Sequence, residues 1–345
     1  MYSFTRRLSV FGKTLCFGLA LLLSSSLQAI DKSIDASSTN FSVIQNFIEH
    51  ERQSAGLQNK TLKVGDLTWH YSEGGLSQKP SILLLHGLAG NRDNWNKVAQ
   101  YLTPYYHVII PDLPTNFDAQ IPKKFDISVP NVSSELRQFI EALHIENNLN
   151  IAGHSLGGSI ATYYASQYPF DTQSLFLLSS AGIYKDAKTS YALNPAQLKS
   201  LVITKPGDLD QILSKLMQSP PPIPSNIKIA QENLLISQAF QTTQLIDQVI
   251  KLNQIYTPET FARLARSVEA PTLILWGKQD QIINYEVATE LQQLIKRAET
   301  PIILNNVGHM PILEAENLVA QSYLPFLAKT QNLKNPLADK LIPLN

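Results

Sequence analysis

The chain of 345 residues contains a single cysteine, Cys16, which lies inside an N-terminal apolar run. Beyond that run the sequence offers no disulfide and no thiol chemistry. Net charge is also lacking: 28 basic and 28 acidic side chains cancel, and charged residues make up only 16% of the chain. No global field then favours nucleic acid, and no nucleic-acid partner is expected. No cluster of His, Cys, Asp and Glu has metal-ligand spacing and "HEXXH" is absent, so neither a metal nor another cofactor is implied. What the chain does have is apolar residues, 44% of the total. That is enough for one large core and too much for a disordered segment.

The N-terminus differs from the rest. Arg6, Arg7 and Lys13 precede "LCFGLALLL" (Leu15 to Leu23), and "SSSLQA" follows to Ala29. A basic start, a short apolar centre and small residues are the three parts of a secretory signal peptide. The apolar centre falls short of the roughly 20 residues of a comfortable membrane span. Residues 1–29 are expected to export the protein, either cleaved after Ala29 or retained as an N-terminal membrane anchor.

Residues 30–61 read as a helical segment, because Phe41, Ile44, Phe47 and Ile48 follow helical spacing. From Leu62 the period turns strand-like in "TLKVGDLTWHYSEGG". The buried runs "SILLLHG" and "YHVIIPD", and later "NLNIAG" and "SLFLLSSAG", then alternate with helical stretches such as Val132 to Leu143. Continuous apolar strands separated by helices indicate an α/β fold with a mostly parallel sheet covered by helices on both faces. Between residues 183 and 268 the alternation stops. Helical patterns such as "DLDQILSKLMQ" and "ENLLISQAFQ" flank "SPPPIPSN", so this stretch is expected to be a helical cap inserted into a core of residues 62–182 and 269–330. "APTLILWG" and "TPIILNN" resume the strands. The tail, residues 331–345, is polar and proline-bearing.

Polar residues stand where these strands end, and ligands bind at the carboxyl ends of strands in open parallel sheets. "GHSLG" places Ser155 between Gly153 and Gly157. G-x-S-x-G is the nucleophile-elbow pattern, in which a strained turn exposes the serine hydroxyl and the glycines avoid collisions between strand and helix. Alone, the pattern is compatible with an ordinary glycine-rich turn. Its glycines form neither G-x-G-x-x-G nor Gly-Lys-Ser/Thr, so they do not cradle a phosphate.

A serine hydroxyl needs an adjacent base that is itself oriented by an acid. Asp280 follows "LILWG" and His309 follows "IILNN", and the order serine, acid, histidine is that of the α/β-hydrolase triad. The oxyanion candidates are the backbone N–H groups of Leu156, just after the serine, and of Leu88, in the loop leaving "SILLLHG". His86 and Gly87 are expected to shape that loop, and His154 to be structural. Asp112 reads as a turn residue. Glu314 and Glu316 read as first-turn helix residues that complement the macrodipole, and Asp247 has no role in the triad.

Taken together, "LLLHGLAGNRDNWNKVAQYL", "HVIIPDLP", "IAGHSLGGSIATYYASQYP", "PTLILWGKQDQII" and "VGHMPILEAE" resemble the α/β-hydrolase superfamily of serine esterases and lipases. Within it, "HGLAGNRDNW" and "GHSLGGSIA" are similar to capped bacterial lipases related to monoacylglycerol lipases. The resemblance implies a hydrolase with Ser155 as nucleophile, Asp280 as acid, His309 as base and Leu88 and Leu156 at the oxyanion hole. It implies no cofactor, a lipid or small-molecule ester as substrate, possible contact with a lipid interface, and a place in the periplasm or outside the bacterial cell. Relatives carry Asp-x-Pro-Gly-x-Gly after the strand "HVIIPD", whereas this chain reads "DLPTNFDAQIP", so acyl selectivity does not transfer. In the cap, Leu213, Leu216, Met217, Leu234, Leu235 and Phe240 are candidates for an acyl pocket or for packing alone. The same triad also serves carbon–carbon bond hydrolases, and a binding protein that kept the fold without catalysis is the reading from another class.

Overall fold

A computed structural model describes residues 35–115, 125–253 and 256–332. Residues 1–29, where a signal or anchor is expected, the part of the "DLPTNFDAQIP" loop after Thr115 and most of the tail lie outside the described residues.

Eight strands form one sheet. They are β1 (Leu57–Val64), β2 (Leu67–Gly74), β3 (Ser81–Leu85), β4 (His107–Pro111), β5 (Leu149–His154), β6 (Thr172–Leu178), β7 (Thr272–Gly277) and β8 (Ile302–Leu304), in the order β1-β2-β4-β3-β5-β6-β7-β8. β2 pairs antiparallel with β1 and β4, and every other pair is parallel. The continuous apolar runs divide by alternation, as a sheet covered on both faces requires. Leu83, Leu85, Ile151, Leu175, Leu177 and Ile274 face one core, while Ile82, Leu84, Ala152, Phe176, Leu178 and Leu273 face the other.

Helix α1 (Asp35–Ser54) precedes the sheet. Helices α2 (Asn96–Leu102), α3 (Val129–Ala142) and α4 (Leu156–Gln167) follow β3, β4 and β5. α3 starts where Ser128 accepts the Asn131 N–H, with Pro130 in the first turn, a pairing that satisfies an orphan donor without losing a useful one. Between β6 and β7 come α5 (Ser190–Leu193), a 3-10 turn at Pro195–Leu201, α6 (Asp208–Leu216), α7 (Ser225–Ser237), α8 (Ala239–Asn253) and α9 (Pro258–Arg266), with no strand among the described residues. Helices α10 (Val287–Leu294), α11 (Pro311–Glu314) and α12 (Glu316–Thr330) complete the chain. α3, α4 and α10 cover one face of the sheet, and α2 and α12 the other. No helix among the described residues is long and apolar enough to cross a membrane.

The boundary expected at residue 62 needs correction. The helical segment ends at Ser54 and β1 begins at Leu57. Most of β1 is exposed, since it is an edge strand with one neighbour, and its polar residues conceal the alternation on which strand recognition depends.

Candidate active site

The turn from β5 into α4 carries Ser155 with φ 51° and ψ −119°, a left-handed conformation that costs a residue with a side chain about 1–3 kcal/mol. A Cβ on Gly153 would strike the Gly157 backbone, and one on Gly157 would strike the carbonyls of Leu85 and His86. Only glycines allow strand and helix to approach this closely. Ser155 occupies the N-cap position of α4, yet its hydroxyl caps nothing, although serine is among the best residues for that task. The hydroxyl donates instead to Nε2 of His309 at 3.0 Å.

His309 sits in the loop between β8 and α11. Its Nδ1–H donates to Oδ2 of Asp280 at 2.8 Å, because a carboxylate can only accept. Asp280 is held in its turn: Oδ1 accepts the N–H groups of Ile282 and Ile283 at 2.8 and 2.9 Å, and Oδ2 accepts the Trp276 indole at 3.1 Å. Its side chain is fully buried. Serine, imidazole and carboxylate therefore form one hydrogen-bonded line that can take the proton from the serine and stabilise the resulting imidazolium.

Leu156 is the first residue of α4, so its N–H has no acceptor within the helix. Across the crevice, His86 fixes the second candidate donor. The buried His86 accepts the Leu113 N–H at Nε2 (2.9 Å), which leaves Nδ1–H to donate to the Gly87 carbonyl at 2.9 Å. In a trans peptide the next N–H points opposite that carbonyl, so anchoring Gly87 aims the Leu88 N–H away from His86. A Cβ on Gly87 would lie 3.1 Å from both His154 and the Ser155 Cβ, which shows how closely the loop approaches the elbow. Burial lowers the His86 pKa and keeps the imidazole neutral in this role.

Asp112 does more than turn the chain. Its carboxylate accepts the Arg92 backbone N–H at 2.8 Å and pairs with the Arg92 guanidinium. One residue on, Asp93 takes both arms of Arg52 at 2.6 Å each. Arg52 belongs to α1, so α1 grips the loop that carries Leu88. The same helix packs Ile44 and Ile48 on Ala230 of α7.

Two further residues hold the His309 backbone. His154 donates from Nε2 to the His309 carbonyl at 2.7 Å. Burial, aided by the neighbouring His309, lowers the His154 pKa to about 3. The His309 N–H donates to the Leu216 carbonyl at 2.7 Å. Glu314 does not act through a macrodipole alone. Its Oε1 accepts the Gly308 N–H at 2.9 Å, and its Oε2 accepts those of Gln218 and Ser219 at 2.7 and 3.0 Å. It ties the histidine loop to the segment after α6. Burial raises its pKa, and these backbone donors offset part of the rise. Asp247 pairs with Lys199 on the surface, away from this line.

Two apolar compartments meet at Ser155. The larger, about 510 Å³, is lined by Leu156, Tyr163, Ile183, Tyr184, Phe261 and Leu264 among others. The smaller, about 150 Å³, runs toward His309 and Met310. Of the six candidates for an acyl pocket, Leu213, Leu216 and Leu235 line the smaller compartment. Met217 is buried in the core, Leu234 packs beside α1, and Phe240 is 70% exposed. Helical spacing shows that a residue shares an apolar face, not which neighbour covers it.

A doubly covered sheet with a hydrogen-bonded serine, histidine and aspartate at its strand ends defines a hydrolase class. Residues 80–316 match the family model described as alpha/beta hydrolase fold, and the chain belongs to that family. It is 31% identical to Lipase 1 of Psychrobacter immobilis, over 91% of this chain and 96% of that protein. To the monoacylglycerol lipase ABHD6 of Homo sapiens it is 25% identical, over 85% and 89% of the two chains. The solved structure of lip1 from Acinetobacter baumannii AYE is 55% identical and superposes with a TM-score of 0.81, covering 88% of this chain and 99% of that one. The enzyme class these likenesses define is that of the carboxylic ester hydrolases.

Proposed function

We propose that the chain is an exported lipase that cleaves lipid carboxylic esters through an acyl-enzyme. One observation carries the proposal: Ser155 Oγ, His309 and Asp280 stand in a hydrogen-bonded line with separations of 3.0 and 2.8 Å, and the serine opens onto an apolar cavity of about 510 Å³. His309 Nε2 removes the Ser155 proton as Oγ bonds to the ester carbonyl carbon. The carbonyl oxygen takes up negative charge between the N–H groups of Leu88 and Leu156. The intermediate collapses, the C–O bond to the alcohol breaks, and Nε2 returns the proton to the leaving oxygen. Water then repeats the sequence on the acyl-enzyme and releases the acid, while Asp280 keeps Nδ1–H and supports the imidazolium.

The relatives' names support lipid esters as the substrate class, and the apolar cavity supports the acyl part. Residues 183–268 act as the cap over the site, and residues 1–29 supply export to the periplasm or beyond, or an anchor to the membrane. The test is hydrolysis of mono-, di- and triacylglycerols of several chain lengths, above and below their solubility limits. Turnover is expected in the wild type and should be abolished in Ser155→Ala with the circular dichroism spectrum unchanged. Near-normal turnover in Ser155→Ala would overturn the mechanism. Detection of the protein in the cytoplasmic fraction alone would overturn export.

A further inference from the structure

The acyl-enzyme reading leaves open which side of the ester each compartment receives, and the inference that follows rests on that reading. His309 is the group that returns a proton to the leaving oxygen, so the alcohol must depart on the His309 side of Ser155. His309 and Met310 line the 150 Å³ compartment and are absent from the wall of the larger one. Leu156 and Ser159, on the opposite side of the nucleophile, line only the larger one. Leu198 and Ile282 belong to both and form the divide at which the ester carbonyl would sit. The acyl chain therefore occupies the 510 Å³ cavity, and the alcohol faces the smaller compartment.

That smaller compartment is a poor place for a polyol. Its far wall is hydrocarbon, formed by Leu201, Ile203, Leu209, Ile212, Leu213 and Ile246. The polar side chains lie at its edge rather than on that wall, and each makes a bond within the protein: Thr242 Oγ1 donates to the Gln238 carbonyl, Asn94 Oδ1 accepts the Asn91 N–H, and His154 Nε2 donates to the His309 carbonyl. A free hydroxyl carried against that hydrocarbon wall would lose water without gaining a partner there, a loss of about tenfold or more in binding for each one. We propose that the compartment is a leaving-group subsite for hydrocarbon, and that the preferred substrates are esters with apolar groups on both sides of the carbonyl.

The test is a set of decanoate esters that differ only in the alcohol (methanol, ethanol, butanol, octanol and glycerol at its 1-position), presented in mixed detergent micelles. The quantity read is kcat/KM, which covers the steps up to acyl-enzyme formation and so includes the alcohol. The expected result is a rise of about fourfold per methylene from methyl toward butyl, a plateau or fall at octyl as the compartment fills, and at least tenfold preference for the butyl over the glyceryl ester. A flat series, or a glyceryl ester turned over as well as the butyl ester, would overturn it. Failure of the wild type to hydrolyse any of these esters, or their hydrolysis by Ser155→Ala, would instead refute the underlying acyl-enzyme reading. Thr242, half-buried on α8, lines only the smaller compartment. Thr242→Phe should remove the preference for butyl over methyl and leave the acyl-length profile of the methyl esters in place. Movement of both profiles together would show that the two compartments are not separate subsites.

Discussion

His154 stands beside Ser155, fully buried, and donates to the backbone of His309. In the unfolded chain an imidazole titrates near 6.5, whereas here burial lowers the pKa to about 3. The folded state therefore resists the proton that the unfolded state accepts. As pH falls below 6.5 the unfolded state gains that proton and stability is lost, and the loss continues until the folded state also protonates near 3. Between pH 6.5 and 4.5 that is two pH units at 1.36 kcal/mol each, or about 2.7 kcal/mol from this one residue. His154→Gln places an amide donor near the position of Nε2 and removes the titration. The difference in urea-unfolding free energy between His154→Gln and wild type should move by about 2–3 kcal/mol in favour of the variant between pH 7 and pH 4.5. Subtraction cancels the other acid-sensitive groups, including His86. A difference that stayed constant with pH would refute the reasoning, because a wild-type His154 that titrates in the folded state could not be the neutral donor that holds His309.

Glu51 is the converse case. Burial raises its pKa to about 7, so its stabilising contribution at low pH is lost as pH rises from about 4.5 to 7. Glu51→Gln should stabilise the fold by up to about 3 kcal/mol at pH 8 and change little at pH 4.5, as read by denaturant melts at the two values. Arg52→Met leaves Asp93 as an unpaired buried carboxylate and should cost about 3–5 kcal/mol. Arg52→Met combined with Asp93→Asn should recover part of that loss in the same melts. Glu314→Gln, which loosens the His309 loop from the segment after α6, should lower kcat about tenfold, or about 1.4 kcal/mol, with KM on a soluble ester within about twofold. An unchanged kcat would remove Glu314 from the positioning of His309.

The sheet was legible because β3 to β7 are continuous apolar runs, and such runs point to strands buried on both faces. The first half of β1 escaped because an exposed edge strand needs little apolar alternation. Ser155, Asp280 and His309 could be singled out because each follows a strand in the order the chemistry needs. Their supports could not be read in this way. Arg52 meets Asp93 across 41 residues and Glu314 meets Gln218 across 96, and no local spacing announces either contact. Asp112 and Glu314 each had a sufficient local explanation, as turn residue and as helix-start carboxylate. Only the tertiary arrangement shows that Asp112 holds the segment after the Leu88 loop through Arg92 and that Glu314 anchors the His309 loop. The pocket residues divided for the same reason: Leu213 and Phe240 both lie on helices of one segment, but one faces the site and the other faces away.

The most direct measurement is labelling with a fluorophosphonate followed by peptide mass mapping, because only a serine activated by a neighbouring base reacts quickly. One rapid adduct is expected on the peptide that contains Ser155, with a loss of at least a hundredfold in labelling rate in His309→Ala. An adduct on another residue, or equal labelling rates with and without His309, would contradict it.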